Sequence, residues 1–168
     1  MHANARLRFR VSPGGSLQGR IRVAGDKSIS HRSIMLGALA EGVTRISGFL
    51  EGEDSLATLN AFRAMGVEIE GPDHGRVVVQ GVGLQGLRAP AAALDLGNSG
   101  TSMRLLSGPL SGPPFDSELV GESSLLSPPV RRVTDPLAAH GAHITLAGRA
   151  TSPTRPPGCR THPGIDLE

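Results

Sequence analysis

Aromatic residues are almost missing from this 168-residue chain, which has four Phe and no Trp or Tyr. Its core must therefore be built from Leu, Val, Ile, Ala and Met, and the shortage argues against single-strand nucleic-acid binding by base stacking. There is one cysteine, Cys159, so no internal disulfide can form. It stands in an irregular stretch with no basic or helical context to activate it, and reads as an inert thiol. No apolar run approaches the roughly 20 residues that span a bilayer, and residues 1–11 lack the hydrophobic stretch of a signal peptide. A dominant charge is lacking as well: 17 Lys and Arg against 15 Asp and Glu leave a net charge of +2. The basic residues are scattered and give no nucleic-acid footprint. Six His, among them His31, His140 and His143, lack the spacing of a metal set. A soluble, cytoplasmic protein with no nucleic-acid or membrane partner is the expectation, and 38% hydrophobic content supports one modest core.

What the chain does contain is an internal repeat, visible when residues 25–69 are laid over residues 97–144. Gly25-Asp26-Lys27 and Gly97-Asn98-Ser99 each open a segment, and Arg32 and Arg104 follow at the same offset, 72 residues apart. Met65-Gly66-Val67-Glu68-Ile69 answers His140-Gly141-Ala142-His143-Ile144 at an offset of 75. Two copies of one supersecondary unit are implied. In the first copy, residues 20–23 alternate as a strand, and Ser28 or Ser30 is placed to cap a helix carrying Ile34, Met35, Ala38 and Leu39, ended by Gly42. Residues 43–47 read as a strand. Leu56, Leu59, Phe62 and Met65 then form a stripe along a second helix that stops at Gly66. Residues 67–70 and 76–80 make two strands around Gly71-Pro72-Asp73-His74-Gly75. The order is β-α-β-α-β-β.

The second copy repeats that order through a strand at 94–96, a helix from about Ser99, a strand at 115–120, a helix from about Pro129 and a strand at 142–146. Pro109 would cost roughly 3 kcal/mol inside a helix, so the third helix is expected to end there. From 148 onward Pro, Gly, Thr and Arg dominate with neither period, and a loop or irregular tail is expected.

The sharpest local motif is Gly25-Asp26-Lys27-Ser28-Ile29-Ser30-His31-Arg32, at the handover from strand to helix. The first amides of a helix are unpaired and its dipole favours an anion. Lys27, Ser28 and Arg32 add a point charge, a hydroxyl and a bidentate fork to that position. Phosphate or carboxylate binding follows, although not as a P-loop, since Asp26 stands where that motif needs Gly. A capped helix start with solvated charges is the plainer alternative. At the equivalent handover of the second copy stands Leu96-Gly97-Asn98-Ser99-Gly100-Thr101-Ser102-Met103-Arg104. Its glycines allow a ligand close to the backbone, and Ser99 or Thr101 is placed to cap. Two such helix ends suit a ligand or ligands with more than one anionic group.

These two motifs, with Leu50-Glu51-Gly52-Glu53-Asp54 between them and Gly121-Glu122-Ser123-Ser124-Leu125 after them, resemble in order and spacing the front part of the EPSP synthase (3-phosphoshikimate 1-carboxyvinyltransferase) family of enolpyruvyl transferases. The likeness runs from about residue 17 to 144. It implies an α/β (α+β) fold of repeated βαβαββ units, three to a domain and two domains to a protein, with the active site in the cleft between them. Residues 1–16 would hold a strand, near 7–11, belonging to the other domain, residues 17–92 the first unit, 93–147 the second, and 148–168 the irregular tail. The implied reaction moves the enolpyruvyl group of phosphoenolpyruvate to the 5-hydroxyl of shikimate 3-phosphate, in the aromatic amino acid and chorismate pathway, with release of phosphate. No metal or organic cofactor is implied. By the resemblance Lys27 and Asp54 are catalytic, Lys27, Ser28 and Arg32 bind shikimate 3-phosphate, and Lys27, Asn98, Gly100 and Thr101 bind phosphoenolpyruvate. Such chemistry needs fixed cations and amides around developing charge.

The sequence departs from the family in places. Family members continue past a stretch like Gly164-Ile165-Asp166-Leu167-Glu168 into a Ser-Ala-Gln segment and later an acid and base of the second domain, so an incomplete form without activity of its own is expected. In Ser127-Pro128-Pro129-Val130-Arg131-Arg132-Val133, Pro128 falls where the family places an arginine, and proline offers neither charge nor backbone donor. Alternative readings are one half of a split transferase completed by a separate C-terminal polypeptide, and a non-catalytic binding module for a phosphorylated ligand. The sister transferase acting on UDP-N-acetylglucosamine is disfavoured, because it normally has Lys-Asn where Lys27-Ser28 stands. A half-domain should also expose apolar faces and self-associate.

Overall fold

The structure, a computed structural model, describes residues 10, 12, 14–16, 18–122, 131–147 and 150–154. Its first helix, α1 (Lys27–Leu39), begins at Asp26, whose carboxylate accepts from the Ile29 amide at 2.7 Å. The cap is thus Asp26 and not Ser28 or Ser30, as expected from sequence. The reason is distance along the chain: Asp26 has the extended backbone and the short acceptor that reach the third amide. Ser30 Oγ instead donates to the Asp26 carbonyl at 2.8 Å and accepts from the Leu50 amide at 2.9 Å. The helix stops at Leu39, three residues before Gly42, because Gly42 already lies inside strand β1 (Glu41–Ser47).

Helix α2 (Glu53–Ala64) turns Leu59, Phe62 and, at its C-cap, Met65 into the core, with Leu56 half-buried, as the stripe predicts. Gly66, at φ 89°, takes the left-handed conformation that ends it. Strands β2 (Glu68–Asp73) and β3 (Arg76–Val82) form a hairpin tighter than the five-residue turn expected, leaving only His74 and Gly75 between them. Both have positive φ, 47° and 73°, the geometry whose twist matches paired strands. The Arg63 guanidinium donates to the carbonyls of Ile69, at 2.7 Å, and Gly71, tying the end of α2 to β2.

The second half runs β4 (Leu94–Asp95), α3 (Gly100–Leu110), β5 (Leu119–Val120), α4 (Arg131–Ala139), β6 (His143–Ala147) and β7 (Ala150–Thr154). The first sheet has the order β1-β3-β2 and the second β4-β5-β7-β6. Position for position, β5-β7-β6 repeats β1-β3-β2, with β4 added in parallel beside β5. The mixed helix and sheet architecture is the expected α/β class. One continuous core joins the halves, from Ile34, Phe62 and Val79 to Leu96, Met103, Leu106 and Leu119.

Four further expectations are corrected. Residues 20–23, the counterpart of β4, form no strand; Ile21 and Val23 are 89% and 75% exposed. The segment meets the end of β1 at a point, where a Cβ on Gly25 would collide with the Gly48 carbonyl, and the left-handed Gly48 turns β1 away directly afterward. The strand expected over 115–120 contracts to β5, Leu119 and Val120, which pair in register with β4 on one side and β7 on the other. Helix α3 runs one residue past Pro109 to Leu110. A proline in the last turn removes one donor without a helix beyond it to break. Finally, residues 150–154 of the expected tail are β7, paired antiparallel with β6. Hairpin pairing overrides a composition that shows no period, and β7 takes the central place that β3 holds in the first copy. Apart from residue 10, the N-terminal strand near 7–11 lies outside the described residues, as do Pro128 and Pro129, residues 123–125, Cys159 and residues 164–168.

Candidate active site

Three helix N-termini carry the residues singled out by sequence. At the first, Lys27 occupies the opening position of α1, where the helix dipole disfavours a cation. Its ammonium is paired with the Asp54 carboxylate in the first turn of α2. The pair is half open to solvent, with side-chain exposures of 47% and 29%. Ser28 and Arg32 are exposed one turn apart on α1, and the Arg32 guanidinium donates to the Ser28 carbonyl at 3.1 Å. Lys27, Ser28 and Arg32 therefore share one helix end.

At the third helix, Ser99 is the cap: its hydroxyl accepts from the Ser102 amide at 3.1 Å, settling the choice between Ser99 and Thr101. Gly97, at φ 53°, makes the turn into that cap, and its amide donates to Asp95 Oδ1 at 2.9 Å. Asn98 is exposed and its backbone carbonyl accepts from the Gly100 amide at 3.2 Å, and Gly100 and Thr101 open the helix half-buried. Neither α1 nor α3 has an acidic residue in its first turn, whereas α2 has Glu53 and Asp54 there. The dipole of α2 is thus met by its own side chains and that of α1 by the Asp26 cap, while α3 has only the neutral Ser99 hydroxyl at its start.

The structure links the two ends through α2. Ser102 Oγ donates to the Asp54 carbonyl at 3.1 Å and lies 2.8 Å from Thr58 Oγ1 and 2.6 Å from Ser99 Oγ. Thr58 Oγ1 in turn lies 2.7 Å from His31 Nδ1. Residues His31, Thr58, Ser99 and Ser102 are all fully or almost fully buried. Burial, reinforced by the Lys27 and Arg32 cations, holds the His31 imidazole below its ordinary pKa. Thr58 and the role of Ser102 were missed by sequence reasoning. The only signal was a buried hydroxyl on a helix face otherwise apolar, which periodicity counts as a weak core position.

Among the described residues no group of three or more His, Cys, Asp or Glu is placed to hold a metal ion, and no helix is long and apolar enough to cross a membrane. Polar helix ends gathered around a partly open ion pair, on a fold of mixed helix and sheet, place the chain in the α/β class. The family model for EPSP synthase (3-phosphoshikimate 1-carboxyvinyltransferase) matches residues 11–158. Curated relatives of that name include those of Alkalilimnicola ehrlichii, 64% identical over 96% of this chain, and Methylococcus capsulatus, 63% identical over 94%. A solved EPSP synthase from Acinetobacter baumannii is 54% identical and superimposes with a TM-score of 0.81 over 89% of this chain and 34% of its own. The chain belongs to the EPSP synthase family. It spans about a third of the curated relatives it matches, 36% of each of those two.

Proposed function

We propose that this chain supplies the helix-end share of an enolpyruvyl transferase site acting on shikimate 3-phosphate and phosphoenolpyruvate. In this reading the 5-hydroxyl of the shikimate ring acquires the enolpyruvyl group by addition and elimination, and phosphate leaves. Ser28 and Arg32 hold shikimate 3-phosphate from the α1 end. Asn98, Gly100 and Thr101 receive phosphoenolpyruvate at the α3 end. Lys27 touches both ligands, and Asp54 takes part with it in moving charge or protons. Both substrates are multiply anionic, and preorganised cations and amides stabilise the charge that develops as they react. No metal or organic cofactor is called for, and the setting is the cytoplasm.

The observation that carries the reading is the Lys27–Asp54 pair, which joins two helix N-termini next to the hydroxyls that reach the third. The matching sheet orders support the further proposal that residues 17–92 and 93–147, the latter extended through β7, are two βαβαββ units of one domain. The rest of the site would come from polypeptide equivalent to the remainder of the relatives, whether continuous with this chain or a separate C-terminal half.

The test is calorimetric titration of shikimate 3-phosphate into the chain, followed by phosphate release with both substrates when that remaining polypeptide is supplied. Arg32→Ala should weaken shikimate 3-phosphate by at least about tenfold, as loss of a charge-assisted hydrogen bond implies. Lys27→Ala should lower phosphate release by about a hundredfold or more, the usual cost of one preorganised donor. Binding that is absent in the unaltered chain, or indifferent to both substitutions, would sink the proposal.

A further inference from the structure

The buried hydroxyls between the helices admit one assignment of protons in which every contact is a hydrogen bond. The Asp54 carbonyl can only accept, so Ser102 Oγ spends its single proton there. The contacts of Ser102 Oγ with Thr58 Oγ1, at 2.8 Å, and Ser99 Oγ, at 2.6 Å, then require both of those hydroxyls to donate to it. Ser99 Oγ keeps its acceptor role toward the Ser102 amide. With its own proton given to Ser102, Thr58 Oγ1 can only accept from His31 Nδ1, at 2.7 Å. That leaves Nε2 of His31 as a bare lone pair, and Nε2 is the ring atom that is buried without a hydrogen-bond partner among the described residues. A bare acceptor is the form in which such an atom is least costly to bury. An N–H there would be an orphaned donor, and under-satisfied acceptors are better tolerated than orphaned donors.

From this geometry we infer that His31 is a positioning residue, held as the Nδ1–H tautomer, which starts a one-way chain of donation from His31 to Thr58 to Ser102 to the Asp54 carbonyl. Through it the N-terminal ends of α1, α2 and α3 are fixed against one another. The chain touches none of the proposed ligand-binding side chains. It reaches Lys27 and Arg32 through the helix that carries His31, Asp54 through its backbone, and Asn98 to Thr101 through the Ser99 cap. The lowered pKa of His31 accords with it, since protonation would add a charged donor at Nε2 with nothing to accept it. The function assigned to this strut rests on the substrate reading above; its existence does not.

The test uses the 168-residue chain labelled with nitrogen-15, so that the strut and its effect on binding are read separately. The imidazole spectrum of His31 should show a protonated Nδ1 and an unprotonated Nε2 at neutral pH, and Thr58→Val, which keeps shape but removes the hydroxyl, should release that preference. In Thr58→Val and Ser102→Ala, amide signals should shift at both 27–32 and 98–101, and amide exchange at 100–102 should accelerate by about tenfold or more. Thr58→Ser, which restores the hydroxyl, should restore the tautomer and the slow exchange, while Asn60→Ala on the exposed side of α2 should change neither. Shikimate 3-phosphate should bind the two hydroxyl-deleted variants at least about tenfold more weakly and the Thr58→Ser variant normally. An Nε2–H tautomer, or shifts confined to α2, would overturn the strut. Unchanged affinity with a demonstrably broken strut would overturn the positioning role. An unaltered chain that binds no shikimate 3-phosphate would overturn the substrate reading and with it the positioning role, with the spectra still deciding the strut.

Discussion

Lys27 and Asp54 illustrate how a residue can matter to a site and little to a fold. Their ion pair is partly solvated, and such pairs contribute from nothing to about 1 kcal/mol. Asp54→Asn should accordingly change the unfolding free energy by less than about 1 kcal/mol in a urea titration, while altering the phosphate-release rate once the site is complete. His31 is the opposite case, buried and titratable. Its folded pKa lies below the unfolded value of 6.5, so between the two the unfolded chain binds more protons and stability rises with pH. The stability it contributes is present above 6.5 and lost as pH falls through the folded value. Urea midpoints measured from pH 7.5 down to pH 5 should therefore drop, and His31→Gln should flatten that drop. A midpoint as steep in the variant as in the parent would assign the effect to other groups.

At the scale of elements, the N-terminus of α1 depends on Asp26 and on the close passage of Gly25. Asp26→Ala should cost about 1 kcal/mol through the lost cap, and Gly25→Ala about 1–3 kcal/mol or more, because a Cβ there meets the Gly48 backbone rather than a movable side chain. Chemical denaturation of the two variants checks both, and Gly25→Ala should also displace Lys27 from Asp54. These same elements mark how far sequence alone reaches. The stripe from Leu56 to Met65 was legible because one helix face meets one core. The anion-binding ends were legible because cations and hydroxyls gather at a strand-to-helix handover. What local pattern does not carry is competition between parts of the chain: which of Asp26, Ser28 and Ser30 wins the cap, or that residues 150–154 pair with β6 despite Pro153. The strut was least legible, since Thr58 and Ser102 lie 44 residues apart and meet only once α2 packs on α3.

For the molecule as a whole, the balance between core and surface sets its behaviour in solution. The shared core from Ile34 to Leu119 gives the two sheets common support, yet large apolar side chains remain outside it. On α1, Ile29 and Leu36 are 68% and 61% exposed and stand seven residues apart, two turns along one face. Val43 on β1 and Leu84 are exposed as well, at 53% and 77%. A helix that buries Ile34 and Ala38 while presenting Ile29 and Leu36 to water is apolar on two sides, the pattern of an element packed between neighbours. Such a surface should drive concentration-dependent self-association. Sedimentation velocity across a range of concentrations is expected to show the average mass rising, and Leu36→Lys, which places a charge on that face without touching the cap or the strut, should return the chain toward monomer. A parent chain that stays monomeric throughout would mean that these side chains are too dispersed to form a common surface.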